Sequence, residues 1–127
     1  MVKTALGDMS FSVGWKCETT IDLLGKTHTI TVKVVSYYES DGISSEQESA
    51  IADFAAKTSH YVSIAERLII SAADGLRQAQ IQFIPAVLLF NQDGSFALLC
   101  DDADDPEDGI AVCLKPSECV MSTDEYL

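Results

Sequence analysis

"PAVLLFNQDGSFALLCDDADDPEDGIAV", residues 85–112, carries the reading that decides the fold class. Two short apolar runs, Ala86 to Phe90 and Phe96 to Cys100, flank a turn at Asp93-Gly94. Glycine tolerates the positive φ that a tight reversal needs, so this segment predicts a β-hairpin. Six acids then follow, Asp101, Asp102, Asp104, Asp105, Glu107 and Asp108, before Gly109 opens a third apolar run, "GIAVCL". The acidic stretch interrupts the pattern and reads as a loop between two strands. Lys115-Pro116 marks another turn, and "SECVM" reads as a last short strand.

Upstream of this meander the period changes twice. Residues from Phe11 to Tyr37 are rich in Thr, Val and Ile and predict a hairpin turning near Gly25. In "HTITVKVV", Ile30, Val32 and Val34 share one face, while Thr29, Thr31 and Lys33 share the other. That strand is covered on one side only, with Trp15 near the covered side. "SSEQ" then offers two overlapping capping boxes, Ser44 with Gln47 and Ser45 with Glu48, where a helix begins. Ile51, Phe54, Ala55, Thr58, Val62, Ala65, Ile69, Ala72 and Leu76 follow at steps of three or four and predict one continuous buried stripe. Ser59 and His60 either restart a second helix, the favoured reading, or kink a single long one, and Asp74-Gly75 ends the run with a left-handed glycine. "LRQAQIQFI" reads as a polar connector to the meander.

The order of elements predicts an α+β fold: an antiparallel sheet built from an N-terminal hairpin and a C-terminal meander, with one or two helices, about 45–74, on one face. Its strands should include Thr29 to Val35, Ala86 to Phe90, Phe96 to Cys100 and Ile110 to Leu114. At 127 residues, 47% of them apolar, the chain has the size and composition of one domain, 1–127. The opening "MVKTALGDMS" has no apolar block of signal-peptide length, and no run approaches the roughly 20 residues that span a bilayer. A cytoplasmic protein is expected.

The net charge is −12, and residues 101–127 hold nine acids against one Lys. Such a surface repels nucleic acid and anionic membranes and attracts basic partners. The acids do not make a calcium loop: Asp101, Ala103 and Asp105 would fill the first three ligand positions, and Ala103 has no oxygen to give. Cys17, Cys100, Cys113 and Cys119 form no C-x-x-C and read as reduced, mostly buried thiols. His28 and His60 fall in no nucleophile or metal motif, and no G-x-S-x-G elbow or phosphate loop is present. No catalytic residue, metal ligand or cofactor is therefore assigned.

Residues 85–112 resemble a group of small bacterial domains of unknown function that share a strand, a D-G turn, a strand ending in "LLCD" and then "DPE-x-G-I-A-V". Asp93-Gly94, Leu98 to Asp101, Asp105-Pro106-Glu107 and Gly109 to Val112 match that pattern. Asp104 and Asp108 stand where the group would have Trp and His. Gly25-Lys26, Gln47 and the terminal "DEYL" fit the same group more loosely. Some small acidic proteins of this kind look like immunity partners of bacterial toxins, including those of contact-dependent growth inhibition. The resemblance thus implies an immunity protein that binds a basic toxin domain, a nuclease in the leading case, and covers its substrate site. Asp101, Asp102, Asp104, Asp105, Glu107 and Asp108 are the expected contacts, with Asp124 and Glu125 as a second patch. The rival readings are an acidic-loop metal-binding protein or metal-dependent hydrolase, and an acidic adaptor with no toxin partner.

Overall fold

In a computed structural model describing residues 1–127, eight strands follow their chain order across one sheet. β1 (Val2–Thr4) and β2 (Gly7–Phe11) form a first hairpin, and β3 (Trp15–Leu23) and β4 (Lys26–Val34) a second. Three helices follow, α1 (Ser45–Ala56), α2 (Thr58–Ala73) and α3 (Leu76–Gln82). β5 (Phe83–Phe90), β6 (Phe96–Asp102), β7 (Asp105–Lys115) and β8 (Cys119–Ser122) form the meander, and α4 (Thr123–Tyr126) closes the chain. The α+β class is as expected, with α1, α2 and α3 on one face of a mostly antiparallel sheet.

One pair departs from the antiparallel expectation. β4 and β5 run parallel, Thr31 opposite Val87 through Val34 opposite Phe90. The chain leaves β4 at one end of the sheet, and the three helices carry it back to the other end. A parallel pair requires such a crossover. The N-terminal hairpin β1–β2 leaves little trace in the sequence, because its alternation is short; Met9 is nevertheless fully buried.

The capping box at Ser44 forms. Ser44 Oγ accepts the Gln47 N–H at 3.1 Å, and the Ser44 N–H donates to Gln47 Oε1 at 3.0 Å. Gln47, only 1% exposed, also donates from Nε2 to Val35 O at 2.8 Å. The same amide lies 3.4 Å from Phe90 O, so one side chain fastens the helix start to the ends of the two parallel strands.

Lys57 breaks the helical run into two helices. α1 buries Gln47, Ala50, Ile51 and Phe54, whereas α2 buries Tyr61, Ile64, Ala65, Ile69 and Ala73. Thr58 and Val62 are only half-buried and Ala72 and Leu76 are exposed, so the expected stripe is not continuous. Asp74, not Gly75, takes the left-handed conformation that ends α2, with φ 61° and ψ 42°. The expected polar connector is α3, held by a single fully buried Ala79, which is too little apolar signal to announce a helix. Pro85 sits inside β5 beside a register shift, where its missing N–H is tolerated.

The β3–β4 turn is clamped from the helical side. Leu24 and Gly25 both have positive φ, 53° and 82°, as a two-residue hairpin of primed type requires. Positive φ is costly for Leu. The Leu24 N–H donates to Glu66 Oε2 at 2.8 Å, its carbonyl accepts from Gln80 Nε2 at 2.9 Å, and its side chain is buried.

Between helices and sheet lies a core of 25 buried residues, centred on Phe54, Tyr61, Phe90 and Phe96. Ring centroids there are 5.0 Å apart for Phe90–Phe96 and 5.2 Å for Tyr61–Phe96. Leu89, Ala97, Ala111 and Cys113 are also buried but lie outside this core, on the opposite face of the sheet. α4 folds back over β7 on that side, and Asn91 Nδ2 donates to the Tyr126 hydroxyl at 2.8 Å. No helix is long and apolar enough to cross a membrane.

Candidate functional site: an acidic hairpin tip

The expected acidic loop is for the most part strand. β6 continues through Asp101 and Asp102, and β7 starts at Asp105, leaving Ala103 and Asp104 as the turn. The apolar pattern fails there because both faces of the hairpin project beyond the core, so charge replaces alternation without ending the strand. Asp101 stands opposite Gly109 and Asp102 opposite Asp105, so Pro106, Glu107 and Asp108 form a bulge. Gly109 permits the close approach at its base: a Cβ there would lie 2.3 Å from Cys100 O.

α3 holds the tip in place. Asp102 Oδ1 accepts from Gln82 Nε2 at 3.1 Å and from the Asp104 N–H at 2.9 Å, and the Ala103 N–H donates to Gln82 O at 2.8 Å. Asp102 is half-buried by these contacts, while Asp101, Asp104, Asp105 and Glu107 are exposed.

The second expected patch joins the first at one residue. Asp108 Oδ1 accepts the Gly109 N–H at 2.8 Å and the Asp124 N–H at 3.2 Å. Ser122 caps the same short helix, taking the Glu125 N–H on its hydroxyl at 3.1 Å and donating that hydroxyl to Glu125 Oε1, also at 3.1 Å. Asp105, Glu107, Asp108, Thr123, Asp124 and Leu127 line an open depression of about 470 Å³. Four of its six residues are acids and none is a base. Asp101, Asp102, Asp104 and Glu125 lie outside it, and Asp101 borders a neighbouring hollow of about 240 Å³ with Glu107 and Asp108.

A larger depression, about 570 Å³, escaped the sequence reading. Glu46, Ser49, Asp53, Asp93, Ser95 and Lys115 contribute to it from α1, the β5–β6 turn and the end of β7. Only tertiary structure assembles them, so no local motif could have signalled the site. Two of its carboxylates are already engaged. Tyr61 donates to Asp53 Oδ2 and Lys57 pairs with Oδ1 at 3.2 Å, which together hold the Asp53 carboxyl below its usual range. Asp93 accepts the Ser95 hydroxyl at 2.6 Å and the Ser95 N–H at 2.9 Å, and is lowered for that reason.

His60 is exposed and edge-on to Tyr61, and His28 lies on β4 opposite Ile21, so neither meets a nucleophile. No three His, Cys, Asp or Glu side chains are grouped to hold a metal ion. The chain matches no protein-family model, no curated protein and no solved structure.

Proposed function

We propose that this protein is a binding module that neutralises a basic protein domain, in the leading case a bacterial nuclease toxin, as an immunity protein does. The observation that supports this reading is the concentration of uncompensated acid at the hairpin tip, where Asp102 faces Asp105 across the strands and Asp108 meets the Asp124 backbone. Like charges placed opposite one another across a β ladder cost stability. A partner carrying Lys and Arg relieves that repulsion on binding, and its own phosphate-binding surface is the natural complement. The field of a −12 protein also steers such a partner toward it before contact.

The fold suits the role mechanically. Gln82 on α3 and the Asp108 link to α4 hold the tip from both sides, so a partner need not order it on binding. Preorganisation of this kind reduces the entropic cost of association. The exposed Asp104, Asp105 and Glu107 would make the first contacts, with Asp124 flanking them. The test is co-expression with a basic nuclease domain sought in the reading frame adjacent to this chain's own: growth arrest relieved by the wild type supports the reading. Unrelieved arrest, with soluble protein present and no complex on gel filtration, overturns it.

A further inference from the structure

We propose that Cys113 and Cys119 form an intramolecular disulfide when the protein meets a peroxide, making this pair an oxidative modification site. The two residues are direct partners across the β7–β8 ladder. Opposed residues of an antiparallel pair have Cα atoms roughly 4.5–5.5 Å apart, within the 4.4–6.8 Å that a disulfide spans. Both side chains point to the sheet face opposite the three helices, since Cys113 shares that face with its other partner, Ala97. The bond therefore needs no strand to move.

The other cysteines have no such partner. Cys17 on β3 and Cys100 on β6 belong to the helix-covered side, with Cys100 buried in the main core and Cys17 against it. All four thiols are free. Within the facing pair access is unequal, Cys113 being 5% exposed and Cys119 half-buried on the outermost strand. Burial, and then the adjacent Cys119 thiol, push the Cys113 thiol up to about 12, so Cys113 remains protonated while its neighbour reacts.

This difference in access sets the order of steps. Cys119, as thiolate, attacks hydrogen peroxide: a sulfur–oxygen bond forms, the oxygen–oxygen bond breaks, and hydroxide leaves to become water, giving a sulfenic acid. The Cys113 sulfur then displaces the sulfenic hydroxyl, which departs as water with the Cys113 proton. Two thiols and one peroxide thus give one disulfide and two waters. The product ties β8, which has no strand on its far side, to β7 directly before α4.

A peptide map of the full chain tests the proposal. The protein is treated with hydrogen peroxide, its remaining thiols are alkylated under denaturing conditions, and it is cut after glutamate. Cleavage at Glu118 separates Asp108–Glu118, which holds Cys113, from Cys119–Glu125. The expected result is one species joining these two peptides, lighter than their sum by two hydrogens and split by reductant. Cys119→Ser, at the more accessible position, should abolish it and leave Cys113 free for alkylation, whereas Cys17→Ser should leave the link intact. Sulfinic or sulfonic Cys119 without a link, a link through Cys17 or Cys100, or a disulfide-joined dimer would each overturn the proposal.

Discussion

Asp108 and Asp124 are joined through the backbone, the Asp108 carboxylate accepting the Asp124 N–H at 3.2 Å while it also holds the Gly109 N–H at 2.8 Å. One side chain therefore sets both the bulge of β7 and the start of α4. Asp108→Ala should speed amide exchange at Gly109 and Asp124 and lower stability by about 1 kcal/mol, the usual size for a hydrogen bond of this type. Asp108→Asn retains an acceptor oxygen and should keep most of the protection. Unchanged exchange at both amides in the alanine variant would show that the carboxylate anchors nothing.

The Gln47 side chain satisfies three groups at once: the Ser44 N–H within the cap, and the Val35 and Phe90 carbonyls at the strand ends. Gln47→Ala takes the donor from the Val35 carbonyl, leaves the Phe90 carbonyl with the Val35 N–H alone, and removes half of the capping box. A loss of about 3 kcal/mol is expected, at the upper end for a single unsatisfied site because several groups fail together. Urea unfolding should show a lower midpoint with an unchanged slope. Gln47→Glu should be at least as damaging, because its carboxylate would face the two strand-end carbonyls.

What the sequence made legible here follows from range. The Ser44–Gln47 cap, the Asp93-Gly94 turn and the strands around it depend on neighbours in the chain, and all of them form. The parallel β4–β5 pair, the helix break at Lys57 and α3 depend on what the rest of the molecule packs against them. The acidic residues were found by density alone, yet their mutual placement was not. Asp102 proved to be a local anchor for Gln82, and Asp124 a neighbour of Asp108 sixteen residues away. Hydrogen bonds across that separation leave no periodic trace.

Tyr126 is the lid of the smaller core. Burial pushes its phenol up from its ordinary value, against the lowering effect of the hydrogen bond that its hydroxyl takes from Asn91. Tyr126→Phe should cost about 1 kcal/mol for the lost hydrogen bond, and Tyr126→Ala about 2–3 kcal/mol because the ring beside Cys113 is lost as well. Labelling with a thiol-specific reagent separates the two. Cys113 should react faster in the alanine variant only.

Alkaline pH should destabilise the fold from about pH 9 upward. Burial raises the Cys100 thiol, and burial with the Cys119 thiol raises Cys113, each from 9.0 to about 12. Burial and Asp53 raise Tyr61 from 10.0 to about 12. Each group keeps its proton longer folded than unfolded, so the stability it contributes is complete below the unfolded value and lost as pH rises through the folded one. The loss per group reaches at most about 1.4 kcal/mol per pH unit. Asp53 and Asp93 have the opposite sign: their depressed values give stability that is lost as pH falls below the ordinary carboxylate range. Urea melts at neutral pH and about pH 10.5 should differ by several kcal/mol, and Cys100→Ala should flatten the alkaline slope.

The acids that face solvent should govern the rate of partner capture more than its final strength. Asp104, Asp105 and Glu107 are exposed, whereas Asp102 and Asp108 are occupied in holding the tip. Replacing the exposed three with Asn, Asn and Gln removes charge and keeps shape. Folding stability should stay within about 0.5 kcal/mol of wild type, or rise slightly as repulsion across the Asp102–Asp105 pair falls. Long-range attraction to a basic toxin domain is screened over about 8 Å at physiological ionic strength, so its contribution is largest in dilute salt. The triple variant should therefore associate about tenfold more slowly than wild type at low salt and lose much of the wild-type salt dependence, with dissociation changed less. Surface plasmon resonance across a salt series reads all three quantities. Equal association rates for variant and wild type at every salt concentration would mean that the hairpin tip does not face the partner, and that the neutralising surface lies elsewhere on the sheet or helices.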